Sequence, residues 1–145
     1  HLVRDPRDVA AAWRTEKRFP DTGMVMPMFS PLHTAFSWTG RNLAAEWATR
    51  KIGQRMLRVR YEDFTTAPQA TVDRILRHAG FTGTASNLIG SDSTVVLEPG
   101  HTIMGNPSRF DHGQIRIAAR TTEPVASRTF DIVTYPLRRR YGYTG

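Results

Sequence analysis

The chain has 145 residues, of which 39% are hydrophobic, no cysteine, and a formal net charge of +7 at pH 7. That length suits one domain or part of one. The lack of cysteine excludes disulfides and thiolate metal sites, and the basic balance points to an anionic partner.

No apolar run approaches the roughly 20 residues that cross a bilayer. No signal-peptide h-region precedes the charges at Arg4 and Asp5. A reducing, cytoplasmic location is therefore the expectation. Phosphates, sulfates, nucleic acids and acidic membrane surfaces all remain open as partners of the basic chain.

Residues 1–3, "HLV", read as the end of a buried strand with no turn or cap before it. A helix is expected next: Asp5 suits its N-cap, Pro6 its first turn, and Val9, Ala12 and Trp13 share a face. Residues 19–34 hold three prolines without a clean period and read as a loop. A second helix is expected over 35–52, with Trp38, Leu43, Trp47 and Ile52 inward and Gly53 ending it. "RMLRVRYEDF" alternates as a short strand. The clearest helix follows Thr66 and Pro68, carries Val72, Ile75, Leu76 and Ala79 on one face, and ends at Gly80. Residues 81–100 read as an irregular connector, and a last helix is expected over about 122–140.

Strand, helix, loop, helix, strand and helix in that order predict an α/β fold, with short parallel strands covered by helices. Ligands are then expected at the carboxyl ends of the strands. Arg4, Arg60 and Tyr61 fall at those ends. An arginine between a strand and a helix suits a phosphate, because the helix start adds backbone donors to the guanidinium fork. The same four charges, Arg4, Asp5, Arg7 and Asp8, can instead pair with one another. Tyr61 can meet an adenine, while Glu62 and Asp63 can orient arginines or cap a helix. In "HTIMGNPSRFDHG" the turn residues around Arg109 and Gly113 can wrap an anion or form an ordinary surface loop. His101 and His112 there lack further ligands at metal spacing. "YPLRRRYGYTG" mixes tyrosines with arginines, as a single-stranded nucleic-acid surface or as a terminal helix with a solvated basic face.

In order, "LVRDPRDVAAAW", Trp38 with Asn42, "LRVRYEDF", a helix ending in "AGF", "GNPSRF" with Gly113, and "YPLRRRYGY" resemble the C-terminal half of PAPS-dependent sulfotransferases, closest to the bacterial branch. The resemblance covers nearly the whole chain, and "RDPRD" with "RYED" are its most specific pieces. It implies the C-terminal half of a P-loop-like domain that takes 3′-phosphoadenosine 5′-phosphosulfate (PAPS) as co-substrate, without a metal. Sulfuryl transfer to a hydroxyl or amine of a small-molecule or glycan acceptor is the activity implied. Arg4 would grip the 3′-phosphate, Tyr61 would contact the adenine, and Arg109 with Gly113 would close a loop over the 3′-phosphate. Ala12 stands where the family has a serine that binds the same phosphate.

The family's Gly-rich 5′-phosphosulfate loop and its general base have no counterpart in these residues. The chain is therefore expected to start halfway through the domain and to be inactive alone, its catalytic groups lying in a preceding N-terminal part. The competing expectation is a non-catalytic anion or nucleic-acid binding module.

Overall fold

The computed structural model describes residues 1–52, 56–97, 113–118 and 127–143. The first strand, β1 (Leu2–Val3), pairs in parallel with β2 (Val59–Arg60), placing Leu2 opposite Val59 and Val3 opposite Arg60. Two helices connect them, α1 (Pro6–Arg14) and α2 (Pro31–Ile52). After β2 come α3 (Tyr61–Thr66), α4 (Pro68–His78) and a 3₁₀ turn at Ala85–Asn87. An antiparallel pair follows, β3 (Thr94–Leu97) with β4 (Gly113–Arg116), and then α5 (Arg128–Arg140). Helix and strand are mixed, with two small sheets, in keeping with an α/β class.

Local chemistry explains most boundaries. Asp5 caps α1 by accepting the Arg7 N–H, and Pro6 fills the first turn. α4 ends in a Schellman arrangement: Gly80 has φ +80°, and the Phe81 N–H donates to the Leu76 carbonyl at 2.9 Å. α2 starts at Pro31, ahead of the expected 35. Ser30 Oγ accepts the His33 N–H at 3.2 Å, a cap followed by a first-turn proline. Both residues fall in the stretch 19–34 that reads as a loop.

Three further expectations change. "YED" begins a helix at Tyr61 and does not continue the strand. β3 lies inside the supposed irregular connector, where its strand partner is remote in sequence. α5 begins at Arg128, while residues 119–126 lie outside the described residues.

Two apolar clusters hold the elements together. Ala10 of α1, Ala35 of α2 and Phe130 of α5 are fully buried against one another. Val3, Trp38, Leu137, Tyr141 and Tyr143 make the other, joining β1, α2 and α5 with the tail behind it. α5 keeps its helix through Pro136 because that residue is exposed, so water can meet the Ile132 carbonyl that loses its donor. On α2 the expected inward stripe is only partly realised. Trp38 is buried, but Leu43 and Trp47 are 48% and 64% exposed.

Phe130→Ala is expected to cost about 3–5 kcal/mol of stability by opening a cavity where three helices meet. Ile132→Ala, on the exposed side of the same helix, should cost no more than about 0.5 kcal/mol. Urea unfolding of both variants measures the contrast.

Candidate functional site

The parallel pairing of β1 and β2 brings their carboxyl ends side by side. Arg4 leaves the first strand, and Arg60 with Tyr61 leaves the second. The Arg4 guanidinium lies over the Tyr61 ring at 4.7 Å from its centroid. Two of the four expected binding residues are thus in contact.

Gly113 is placed elsewhere, at the start of β4 in the second sheet, with φ +83°. Arg109, with His101 and His112, lies outside the described residues. Among the described residues no three His, Asp or Glu side chains converge as a metal site.

The charge cluster at the start of α1 forms the internal pairs that its spacing permits. Arg7 holds Asp5 through Nη2 at 2.7 Å, and Arg4 Nη2 stands 3.6 Å from Asp8 Oδ2. The first three backbone positions at this helix start are accounted for. The Asp5 N–H donates to Glu62 Oε1 at 3.0 Å, Pro6 has none, and the Arg7 N–H goes to Asp5 Oδ1 at 2.8 Å. The Asp5 carboxylate fills the place that a phosphate would take at an uncapped helix. Any anion here is therefore held by side chains rather than by these helix-start amides.

Arg4 has donors to offer. Its Nε and Nη2 atoms are buried without a hydrogen-bond acceptor among the described residues, while the side chain as a whole remains 22% exposed. Arg60 Nε is in the same condition, 3.9 Å from Glu62 Oε2. Buried cationic donors without acceptors are uncommon, because each forfeits its hydration. Three arginines, Arg4, Arg7 and Arg60, face three carboxylates, Asp5, Asp8 and Glu62. With that balance, attraction for an anion comes from directed N–H groups and not from a net positive field.

Glu62 and Tyr143 complete the arrangement. The Tyr143 hydroxyl donates to Glu62 Oε2 at 2.8 Å, and the Arg60 guanidinium covers the Tyr143 ring at 4.5 Å. Burial and then the Glu62 bond push the Tyr143 hydroxyl well above the usual tyrosine range. Gly142 makes the approach with φ +81°, and a Cβ there would sit 3.5 Å from Arg60 Nη1. Sequence reasoning did not place Tyr143 at this site, since nothing local in "YGY" tells that its partner is Glu62, 81 positions earlier.

The aromatics of the C-terminal segment are spent in packing. Tyr141 and Tyr143 are each 5% exposed, so they offer no stacking face to nucleic acid. Tyr141 also has its hydroxyl pushed up to about 12, by burial first and the nearby Glu46 charge second. Among the described residues no helix is long and apolar enough to cross a membrane.

Asp5 links this site to acid stability. Burial raises its carboxyl, but the Arg7 bonds and charge outweigh burial and hold it below the ordinary 3.8. The ionised form therefore stabilises the fold at pH above 3.8, and that contribution is lost as pH falls through the lower folded value. Asp5→Asn keeps a capping oxygen and loses the ion pair, so it should be about 1 kcal/mol less stable at neutral pH. The gap between wild type and variant should close below pH 3.8, as thermal unfolding across the acid range will measure.

Compared with protein-family models, curated proteins and solved structures, the chain matches none.

Proposed function

We propose that the ends of β1 and β2 bind the 3′-phosphate and adenine of a 3′-phosphoadenosine nucleotide, with the chain serving as the C-terminal portion of a PAPS-dependent sulfotransferase of P-loop-like fold. The observation that carries the reading is Arg4. It leaves a parallel strand, lies over an aromatic ring, and holds two buried N–H-bearing atoms without acceptors. A phosphate oxygen would supply those acceptors, and a guanidinium fork matches its geometry. Tyr61, already beneath the guanidinium, offers a flat face and a hydroxyl to the base. Arg60 is the neighbouring cation at the same strand ends, and its Nε, buried without a hydrogen-bond acceptor among the described residues, makes it a second candidate for the same phosphate.

The resemblance, in "RDPRD" and "RYED", supplies the identity of the nucleotide, and the Arg4–Tyr61 contact agrees with it. PAPS would enter as co-substrate, its sulfuryl group passing to a hydroxyl or amine of an acceptor. These residues would hold the non-reacting 3′ end. Leaving-group stabilisation and proton removal belong to groups outside the set described, since no Gly-rich phosphate loop occurs in the sequence. Arg109 and Gly113 stay candidates for the loop that closes on the phosphate.

Arg4→Ala should weaken adenosine 3′,5′-bisphosphate binding by about 2–4 kcal/mol, the cost of truncating one partner of a buried charged pair. Adenosine 5′-phosphate should bind both proteins alike, because it lacks the 3′ group. Arg4→Lys should recover only part of the loss. Calorimetry decides: unchanged bisphosphate affinity, or equal losses for both nucleotides, would leave Arg4 as a partner of Asp8 alone. Ala12→Ser, which restores the hydroxyl of the resemblance, should tighten the bisphosphate by about 1 kcal/mol in the same titration.

A further inference from the structure

The cleft between α1 and α2 holds groups that the nucleotide reading does not use. Helical spacing lays two rows of α2 along its floor: His33, Ser37 and Arg41 on one, Thr34, Trp38 and Asn42 on the next. Val9 and Trp13, four apart on α1, make the facing wall, and Phe29 also borders the hollow. Phe29 meets Trp13 edge to face at 4.9 Å and His33 at 4.6 Å, which fixes the aromatic lining in place. The hollow encloses about 400 Å³, within the size range of small-molecule sites.

The two rows differ in what they have left to offer. On the inner row, the Thr34 hydroxyl donates to the Ser30 carbonyl, the Trp38 indole to the Arg4 carbonyl, and Asn42 to the Trp38 carbonyl. On the outer row, the side chains of His33, Ser37 and Arg41 have no hydrogen-bond or ion-pair partner among the described residues. A cation, a hydroxyl and an imidazole therefore line one side of a hollow whose other side is indole and phenyl. A flat ring laid against Trp13 and Phe29 excludes water on that side. A carboxylate or sulfonate on the ring would meet the Arg41 fork.

We propose that this cleft is a binding site for a small planar aromatic anion, separate from the strand-end site and independent of the nucleotide reading. The chain carries three tryptophans, Trp13 and Trp38 in the cleft and Trp47 beyond it, 64% exposed. They report directly on the location of a ligand.

The test titrates the chain with 2-naphthoate and with its neutral counterpart 2-naphthamide. Calorimetry gives the affinity, and the three indole N–H signals are followed by NMR. Saturable binding is expected that moves the Trp13 and Trp38 signals and leaves Trp47 in place. Arg41→Ala should weaken naphthoate about tenfold and leave naphthamide unchanged. Trp13→Leu should weaken both, with circular dichroism confirming the fold; should that variant unfold, the Arg41 comparison decides alone. Arg41→Ala should not alter adenosine 3′,5′-bisphosphate affinity, so failure here and failure of the nucleotide reading are distinguishable. No saturable binding at millimolar naphthoate, equal Arg41→Ala losses for both probes, or shifts confined to Trp47 would each overturn the proposal.

Discussion

The Glu62 carboxylate ties together three segments that the sequence keeps apart. One oxygen accepts the Asp5 N–H at the exit of β1, and the other accepts the Tyr143 hydroxyl behind α5. Asp5 in turn caps α1, so the turn that presents Arg4 is fixed from both sides. Without the carboxylate, a backbone N–H and a buried hydroxyl would both lack acceptors, each costing about 1–3 kcal/mol. The two-residue strands could not supply this alignment themselves, because a pair that short makes too few ladder bonds to hold a register. Side chains do the work that a longer sheet would do.

A ladder of arginines on tyrosines extends the same device. Arg58 and Arg60, two apart, lie over Tyr141 and Tyr143, also two apart, at 4.1 and 4.5 Å. The spacing of an extended segment thus matches the spacing of the tail. Arg58 also binds Glu46 at 2.6 Å, a glutamate 5% exposed that Arg140 and Arg50 approach at 3.0 and 3.7 Å. A buried carboxylate needs such partners, since removing one leaves an uncompensated charge at a cost of about 3–5 kcal/mol. Part of the basic excess in the composition is therefore internal structure. Its surface effect on an anionic partner is smaller than +7 suggests.

Element lengths explain why several apolar residues remain outside. α2 has 22 residues and runs about 33 Å, whereas α1 and α5, which pack against it, have 9 and 13. Their joint coverage secures Ala35 and Trp38 and leaves Leu43 and Trp47 in the open. On the other side of the sheet, Leu57, Val59, Phe64 and Ile75 line a hollow of about 530 Å³. Ile75 belongs to the α4 face that reads as core. Ile75 is 39% exposed.

The sequence by itself determined what depends on neighbours along the chain. Asp5 and Pro6 announce α1, Gly80 stops α4, and Arg4 and Tyr61 stand at strand ends, all through capping and φ preferences that act within a few residues. The order of β1, α1, α2, β2, α4 and α5 followed from the same local signals, including the parallel relation of β1 and β2. Tertiary structure decided whatever needed a remote partner. It set the 3.0 Å bond that uses the Asp5 N–H, the burial of Tyr141 and Tyr143, the exposure of Trp47, and the pairing of β3 with β4. Helical periodicity says that a residue belongs to a face, but only the element packed on that face makes it core. A lone arginine says that an anion can be held. Which of its N–H groups lack acceptors follows from three-dimensional neighbours, and in Arg4 those are Asp8 on the helix that follows it and Tyr61, 57 positions away.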